Sequence, residues 1–287
     1  MKLNFLTKFL VFSVCILFVS ALSAQDTTSF KTYFENGLAK YKTKDYTGAI
    51  NDFDKAIDKK SDAAANMALA YFYRASCKRL SPAKDNQGAL ADFDNAIKNK
   101  ADNPDFYTGR AQTKFDLKDT AGAIADYTMV IQLKPTSEKG YFERAKLKMG
   151  GKKYKDAIDD FKLAIEMKPD YYEAYNLRGK ASIIEKDTAG ALADFNKAIE
   201  LKPDYVLAYN NRAQIKYSQK DYEAAKTDYS KVIELKPQDG AGYFTRGIVE
   251  IALKQKTEAC ADFTKSKELG YTKADEKIEK YCKEQPK

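Results

Sequence analysis

The sequence predicts an all-α fold, a solenoid of seven helix-turn-helix repeats closed by a C-terminal capping helix. The 287-residue chain contains only 14 glycines and 7 prolines, too few for a loop-rich β protein. Similar segments recur at intervals of 34 residues over most of the chain. Each segment also carries apolar residues at the spacing of an amphipathic helix, so a stack of helical pairs is expected.

Residues 1–24 differ from the rest of the chain and predict a secretory signal peptide. Lys2 and Lys8 precede an apolar stretch that small residues follow, from Ser20 to Ala24. The apolar stretch is about a dozen residues long, shorter than the roughly 20 residues of a bilayer span. We therefore expect an exported protein, periplasmic or secreted and from a bacterial envelope. A signal that is retained as an anchor is the alternative.

Residues 25–270 are expected to form the repeats. The first helix of each repeat carries a tyrosine and, four residues later, a glycine or alanine on the same face. The second helix carries an alanine and, four residues later, an aromatic residue. The column tyrosines are Tyr33, Tyr71, Tyr107, Tyr141, Tyr175, Tyr209 and Tyr243. One helical pair cannot bury both of its faces, so stability must come from stacking on the neighbouring repeats.

Turn residues mark where the helices begin and end. Aspartates such as Asp119 and Asp221 precede the second helices and are expected to cap them. Lys-Pro pairs end the repeats, because proline cannot continue a helix. Asp170 and Asp204, which follow two of these prolines, are expected to cap the next first helices.

A 34-residue helical pair with these columns resembles the tetratricopeptide repeat (TPR), and the resemblance covers residues 28–270. It implies a right-handed superhelix whose concave face is lined by first helices and commonly holds a peptide or a partner's helix. Residues 271–287 follow the repeats. Ala274, Ile278 and Tyr281 share one helical face there, which predicts a capping helix over the last repeat.

Three cysteines follow the signal segment. Cys260 lies in the last second helix and Cys282 in the capping segment. Export permits a disulfide, and we expect these two cysteines to form it. Cys77 is then left as an ordinary core residue.

The composition argues against an enzyme. The sequence has no histidine, which excludes Ser/His/Asp and Cys/His arrangements. It also has no glycine-rich phosphate loop and no cysteine or histidine pairs at the spacing of metal ligands. We expect no catalytic site, no cofactor and no metal.

Arginine has a restricted distribution. Six of the seven arginines directly precede the small residue of a first helix, whereas an aspartate precedes each second-helix aromatic. A planar, multidentate guanidinium suits a paired carboxylate, so these residues are predicted to be structural. An arginine ladder for anionic ligands is the alternative. In the four middle repeats the residues are Arg110, Arg144, Arg178, Arg212, Asp126, Asp160, Asp194 and Asp228.

A second stripe on the first helices begins one residue after the column tyrosine and continues four and seven residues further on. The resemblance places this stripe on the concave face, where amides and lysines would bond an extended peptide and aromatic rings would contact its side chains. A merely solvated surface is the alternative. The predicted groove residues are Gln112, Phe142, Lys146, Asn176, Lys180, Asn210, Gln214 and Tyr217.

The sequence thus predicts a scaffold that binds a protein or peptide partner, with no nucleic acid and no membrane span after signal removal. The net charge of +8, from 42 lysines and 7 arginines, supports a second hypothesis. In that hypothesis a basic envelope protein adheres electrostatically to an anionic surface or polymer. Moderate salt would abolish such adhesion and affect groove binding much less.

Overall fold

The computed structural model describes residues 28–283, which form fifteen α-helices and no strand. The predicted signal peptide, residues 1–24, lies outside the described residues. The helices are α1 (Thr28–Lys42), α2 (Tyr46–Lys59), α3 (Ala64–Leu80), α4 (Asn86–Asn99), α5 (Pro104–Asp116), α6 (Thr120–Leu133), α7 (Glu138–Gly150), α8 (Tyr154–Met167), α9 (Tyr172–Ile184), α10 (Thr188–Leu201), α11 (Val206–Ser218), α12 (Tyr222–Leu235), α13 (Gly240–Ala252), α14 (Lys256–Glu268) and α15 (Ala274–Tyr281).

The all-α repeat fold is confirmed. Odd-numbered helices from α1 to α13 are the first helices of the repeats, and the even-numbered helices that follow them are the second. The described residues form two compact units, which divide between Gly140 and Tyr141. Within each unit, first helices pack on their own second helix and on the second helix of the preceding repeat. Over residues 28–283, every helix is too short or too polar to cross a membrane.

Aspartates begin most of the second helices, as the turn pattern predicts. The Oδ1 atom of Asp119 accepts a hydrogen bond of 2.8 Å from the backbone N–H of Gly122 and so caps α6. The predicted caps of two first helices are wrong. Tyr171 and Tyr205, rather than Asp170 and Asp204, occupy the N-cap positions of α9 and α11, because each helix begins one residue later than the proline-aspartate turn suggests.

A lysine in the left-handed conformation follows the first helix of every repeat, two residues after its end in six repeats and four residues after the end of α3 in the second. Lys118 has a φ of 69°, its N–H donates to the Phe115 carbonyl, and the Asp119 N–H donates to the Lys114 carbonyl. This is the hydrogen-bond pattern that a glycine usually completes. The cationic side chain near the helix C-terminus offsets part of the conformational cost. The seven residues are Lys44, Lys84, Lys118, Lys152, Lys186, Lys220 and Lys254.

Small residues in the first helices make room for the aromatic residues of the second. A Cβ atom added to Gly247 would lie 2.7 Å from Cε1 of Phe263, whose side chain is fully buried. Gly37 stands in the same relation to Phe53 in the first repeat. The two helices of a repeat can therefore approach closely only because this column stays small.

The capping segment is attached covalently to the last repeat. Cys260 and Cys282 form a disulfide with their Cα atoms 5.5 Å apart. Ala274 of α15 is fully buried against the repeat. Cys77 is a free, fully buried cysteine, and burial raises the pKa of its thiol to about 12.

Candidate functional site

Each column arginine meets the aspartate of its own repeat through two hydrogen bonds. Nε donates to Oδ2 at 2.7–2.9 Å, and Nη2 donates to Oδ1 at 2.6–2.8 Å. The aspartates are at most 6% exposed. The pairs are Arg74–Asp92, Arg110–Asp126, Arg144–Asp160, Arg178–Asp194, Arg212–Asp228 and Arg246–Asp262.

Several of these arginines also reach the second helix of the preceding repeat. Nη1 of Arg110 donates to Asp94 at 2.7 Å, and Nη1 of Arg212 donates to Asn196 at 2.6 Å. The hydrogen bond to Asp228 raises the pKa of the Arg212 guanidinium, and burial opposes this rise. Nε and Nη2 of all six arginines are therefore engaged by the aspartates, and four of the arginines also join successive repeats, which disfavours an arginine ladder for external ligands.

The predicted groove residues have different environments. Lys146, Lys180, Gln214 and Tyr217 are exposed, whereas Gln112 and Asn210 are half-buried. The Lys146 ammonium lies 2.8 Å from Glu143 Oε2, one turn away on the same helix. Lys180 makes no ion pair with any described residue, so its ammonium is available to a partner.

Two of the predicted groove residues are wrong, because packing takes them out of contact with solvent. Asn176 is 1% exposed, and its Oδ1 accepts a hydrogen bond of 2.8 Å from Nδ2 of Asn211 in the next repeat. Phe142 is 8% exposed and stacks on Tyr171 with the ring centroids 4.5 Å apart. Both side chains hold neighbouring first helices together instead of facing a ligand.

Exposed apolar side chains concentrate on the first helices. Of the eight exposed large hydrophobic residues in the described part of the chain, six lie on first helices, and the other two end second helices. Those on the first helices of the second unit are Ile183, Ile184, Leu207 and Tyr217. The stripe pattern contained Ile183 and Tyr217 but missed Ile184 and Leu207. Apolar residues outside the packing columns were the signal that could have revealed them.

Models of the tetratricopeptide repeat match residues 83–138, 142–206 and 206–239. These matches cover more than half of the sequence. The chain belongs to the tetratricopeptide-repeat family. Its columns of tyrosine, small residue, alanine and aromatic are accordingly the packing positions of TPR repeats.

Solved TPR structures resemble this chain along most of its length. The C-terminal part of a TPR protein from Cytophaga hutchinsonii aligns over 85% of this chain and 98% of its own, with a TM-score of 0.72 and 20% identity. A TPR protein from Parabacteroides merdae aligns over 90% and 100%, with a TM-score of 0.64 and 20% identity. YrrB, a TPR protein with an unusual peptide-binding site, aligns over 62% and 92%, with a TM-score of 0.53 and 17% identity. At these identities the likeness shows the fold. Among curated proteins, none matches the sequence.

The TPR architecture makes this chain a scaffold for protein–protein interaction, in a family of non-enzymatic repeats. Within residues 28–283, no cluster of three or more acidic or cysteine side chains is arranged to hold a metal ion. The surface feature left to explain is the exposed, partly apolar face of the first helices in repeats five and six.

Proposed function

We propose that this TPR protein is exported to a bacterial envelope and binds a segment of a partner protein across the first helices of its second unit. The binding surface is an exposed face of α9 and α11. Its residues are Lys180, Ile183, Ile184, Leu207, Asn210, Gln214 and Tyr217.

The observation that carries the proposal is the exposure of large apolar side chains on this one face. Ile184 and Leu207 are 49% and 54% exposed. Covering apolar surface yields about 25 cal/mol per Å², so a cluster of such side chains favours association. Neither residue belongs to a column that packs the repeats, and contact with a partner accounts for them. The peptide-binding site named for YrrB, a protein of the same fold, supports the proposal.

Site-specific photo-crosslinking tests the proposal. A photoreactive amino acid at position 183 or 217 should label a discrete partner in the native envelope. The same group at position 162, exposed on the second helix α8, is the matched control. Equal labelling from positions 162 and 183 would show that the first-helix face is not the binding surface.

Salt separates this function from electrostatic adhesion by the lysine excess. Crosslinks that depend on apolar contact should persist at about 0.5 M salt, where exposed charges are screened within a few Å. Loss of all crosslinks on moving from low to moderate salt would favour adhesion to an anionic surface or polymer. N-terminal sequencing of the native protein tests export, since a chain beginning at Met1 would contradict cleavage near Ala24.

A further inference from the structure

The Nη1 atoms of the column arginines mark a recurring binding position between successive repeats. Nη1 of Arg110 donates to Oδ1 of Asp94 at 2.7 Å, and Asp94 directly follows the second-helix aromatic Phe93 of the preceding repeat. The residue at this position is an oxygen acceptor for three further column arginines. The donor and acceptor pairs, with Nη1 to oxygen distances of 2.6–3.2 Å, are Arg74–Asp54, Arg110–Asp94, Arg212–Asn196 and Arg246–Ser230.

Repeat five has a lysine at this position instead of an acceptor. Lys162 of α8 lies sixteen residues before Arg178, as Asp94 lies sixteen residues before Arg110. An ammonium group has only donors, so it cannot accept a hydrogen bond from the guanidinium. Arg178 keeps its two bonds to Asp194, but its Nη1 donates to no described residue, and the side chain is 23% exposed. A donor that four other arginines use within the chain is therefore free in repeat five.

The Lys162 ammonium has no counter-charge either. Lys162 is exposed and forms no ion pair with any described residue, Asp159 and Glu166 on its own helix included. Two cationic residues thus occupy a junction where repeats two and three have one arginine and one carboxylate. Like charges repel each other, so an anion at this junction is attracted by both groups.

The chain itself shows which chemical group fits such a junction. The Nη1 atoms of Arg74 and Arg110 each bind a carboxylate oxygen of the preceding second helix, at 2.6 and 2.7 Å. Charge-assisted hydrogen bonds of this kind are roughly twice as strong as neutral ones. A carboxylate from outside the chain can make the same bond to Arg178, and the Lys162 ammonium supplies a second positive charge.

We propose that Nη1 of Arg178 and the ammonium of Lys162 bind the carboxylate of an acidic ligand, in the place that Asp94 holds beside Arg110. The ligand joins repeats four and five as Asp94 joins repeats two and three. This site lies at the junction of the second helices α8 and α10, so it is separate from the first-helix face and independent of the function proposed for that face.

Side-chain NMR of the full mature protein tests this proposal. The Nε–H signal of each arginine is recorded while amidated hexaglutamate is added at constant ionic strength, with amidated hexaglutamine as the control peptide. The Arg178 signal should shift and saturate with hexaglutamate alone. The Arg212 signal should stay in place, because Asn196 already accepts from its Nη1. An unmoved Arg178 signal, or equal shifts of both arginines through general screening, would overturn the proposal.

A substitution at Lys162 removes the site without removing the arginine. Lys162→Asp restores the aspartate of repeats two and three, whose carboxylate should bond Arg178 within the chain and weaken hexaglutamate at least tenfold. Lys256→Asp makes the same change of charge at an exposed lysine of α14 that forms no ion pair with the described residues, and should leave the affinity unchanged. Undiminished binding by Lys162→Asp would contradict the assignment, whatever the first-helix face binds.

Small anions identify the source of the carboxylate. If acetate shifts the Arg178 signal as strongly as hexaglutamate at equal carboxylate concentration, a free small carboxylate fills the site. Tighter binding of hexaglutamate assigns the site to an acidic segment of a partner. A response to inorganic phosphate without a response to either carboxylate refutes the carboxylate assignment. A photoreactive residue at position 162 lacks the ammonium, so that position remains a valid control for the first-helix face.

Discussion

Arg178 and Asp194 form two parallel hydrogen bonds, from Nε to Oδ2 at 2.9 Å and from Nη2 to Oδ1 at 2.6 Å. In repeats one, two, three, four and six the equivalent aspartate also binds a lysine at 2.7–2.9 Å. In repeat five Ser182 occupies the lysine position. Among the described residues, Arg178 is therefore the one cation that neutralises Asp194. The Asp194 carboxylate is only 5% exposed, so solvent contributes little to its neutralisation.

This difference predicts unequal costs for the same substitution in two repeats. Arg178→Lys removes one of two bonds to a carboxylate that has no second cation, and should lower the free energy of unfolding by about 2 kcal/mol. Arg212→Lys should cost about 1 kcal/mol less, because Lys216 remains 2.9 Å from Asp228. Chemical denaturation of both variants measures the difference.

Lys256→Arg, at an exposed lysine of α14 that makes no ion pair with the described residues, serves as the control for that pair and should leave the unfolding midpoint unchanged. If Arg178→Lys and Arg212→Lys lower the free energy of unfolding equally, Lys216 adds nothing to the neutralisation of Asp228.

A second prediction concerns the close approach of α13 to α14. Gly247→Ala places a Cβ atom 2.7 Å from the Phe263 ring and should destabilise the protein by about 1–3 kcal/mol through overpacking. Gly150→Ala is the matched control, because no neighbouring atom lies within 4 Å of the added Cβ. Thermal unfolding should show a lower Tm for Gly247→Ala and an unchanged or higher Tm for Gly150→Ala.

The columns were predictable from the sequence because they recur in every repeat. Seven copies of the same small and aromatic positions indicate the helical pair and its packing face without any knowledge of tertiary structure. The Arg–Asp pairs followed from the same recurrence, since one residue type is restricted to one position and its partner type to another.

The candidate surface was less predictable, because exposure depends on how closely neighbouring first helices approach. Asn176 and Asn210 occupy equivalent positions of successive repeats, yet Asn176 is buried by its bond from Asn211 while Asn210 stays half-buried. Sequence periodicity assigns a residue to a face of a helix. It does not determine which side chain on that face a neighbouring helix covers.

The disulfide gives a third prediction. Cys260 and Cys282 are 22 residues apart, so the bond should stabilise the folded capping segment by roughly 3 kcal/mol in the chain-entropy model. Reduction, or the double change Cys260→Ser with Cys282→Ser, should increase amide hydrogen exchange in α15 and leave exchange in α1–α6 unchanged. Unaltered protection of α15 after reduction would show that noncovalent packing suffices to hold the cap.

The last repeat differs from the others at Glu250, which lies four residues after Arg246. Five of the other repeats have at this position the lysine that binds the aspartate. Glu250 is 3% exposed; its Oε1 lies 3.1 Å from Lys226 Nζ and 4.0 Å from Arg246 Nε. Its Oε2 receives no hydrogen bond from the described residues. Burial raises the pKa of Glu250, the Asp262 carboxylate raises it further, and Lys226 and Arg246 oppose the rise.

A raised pKa in the folded state means that folding favours the protonated form of Glu250. The stability this group contributes is therefore full below its unfolded pKa, near ~4.3, and is lost as pH rises through the folded pKa. Glu250→Gln, which is permanently neutral, should raise the free energy of unfolding at pH 7 and have little effect near pH 4. Denaturation of both proteins at each pH measures this difference. A Glu250→Gln variant that is less stable at pH 7 would instead show that the ionised carboxylate and Lys226 form a net stabilising pair.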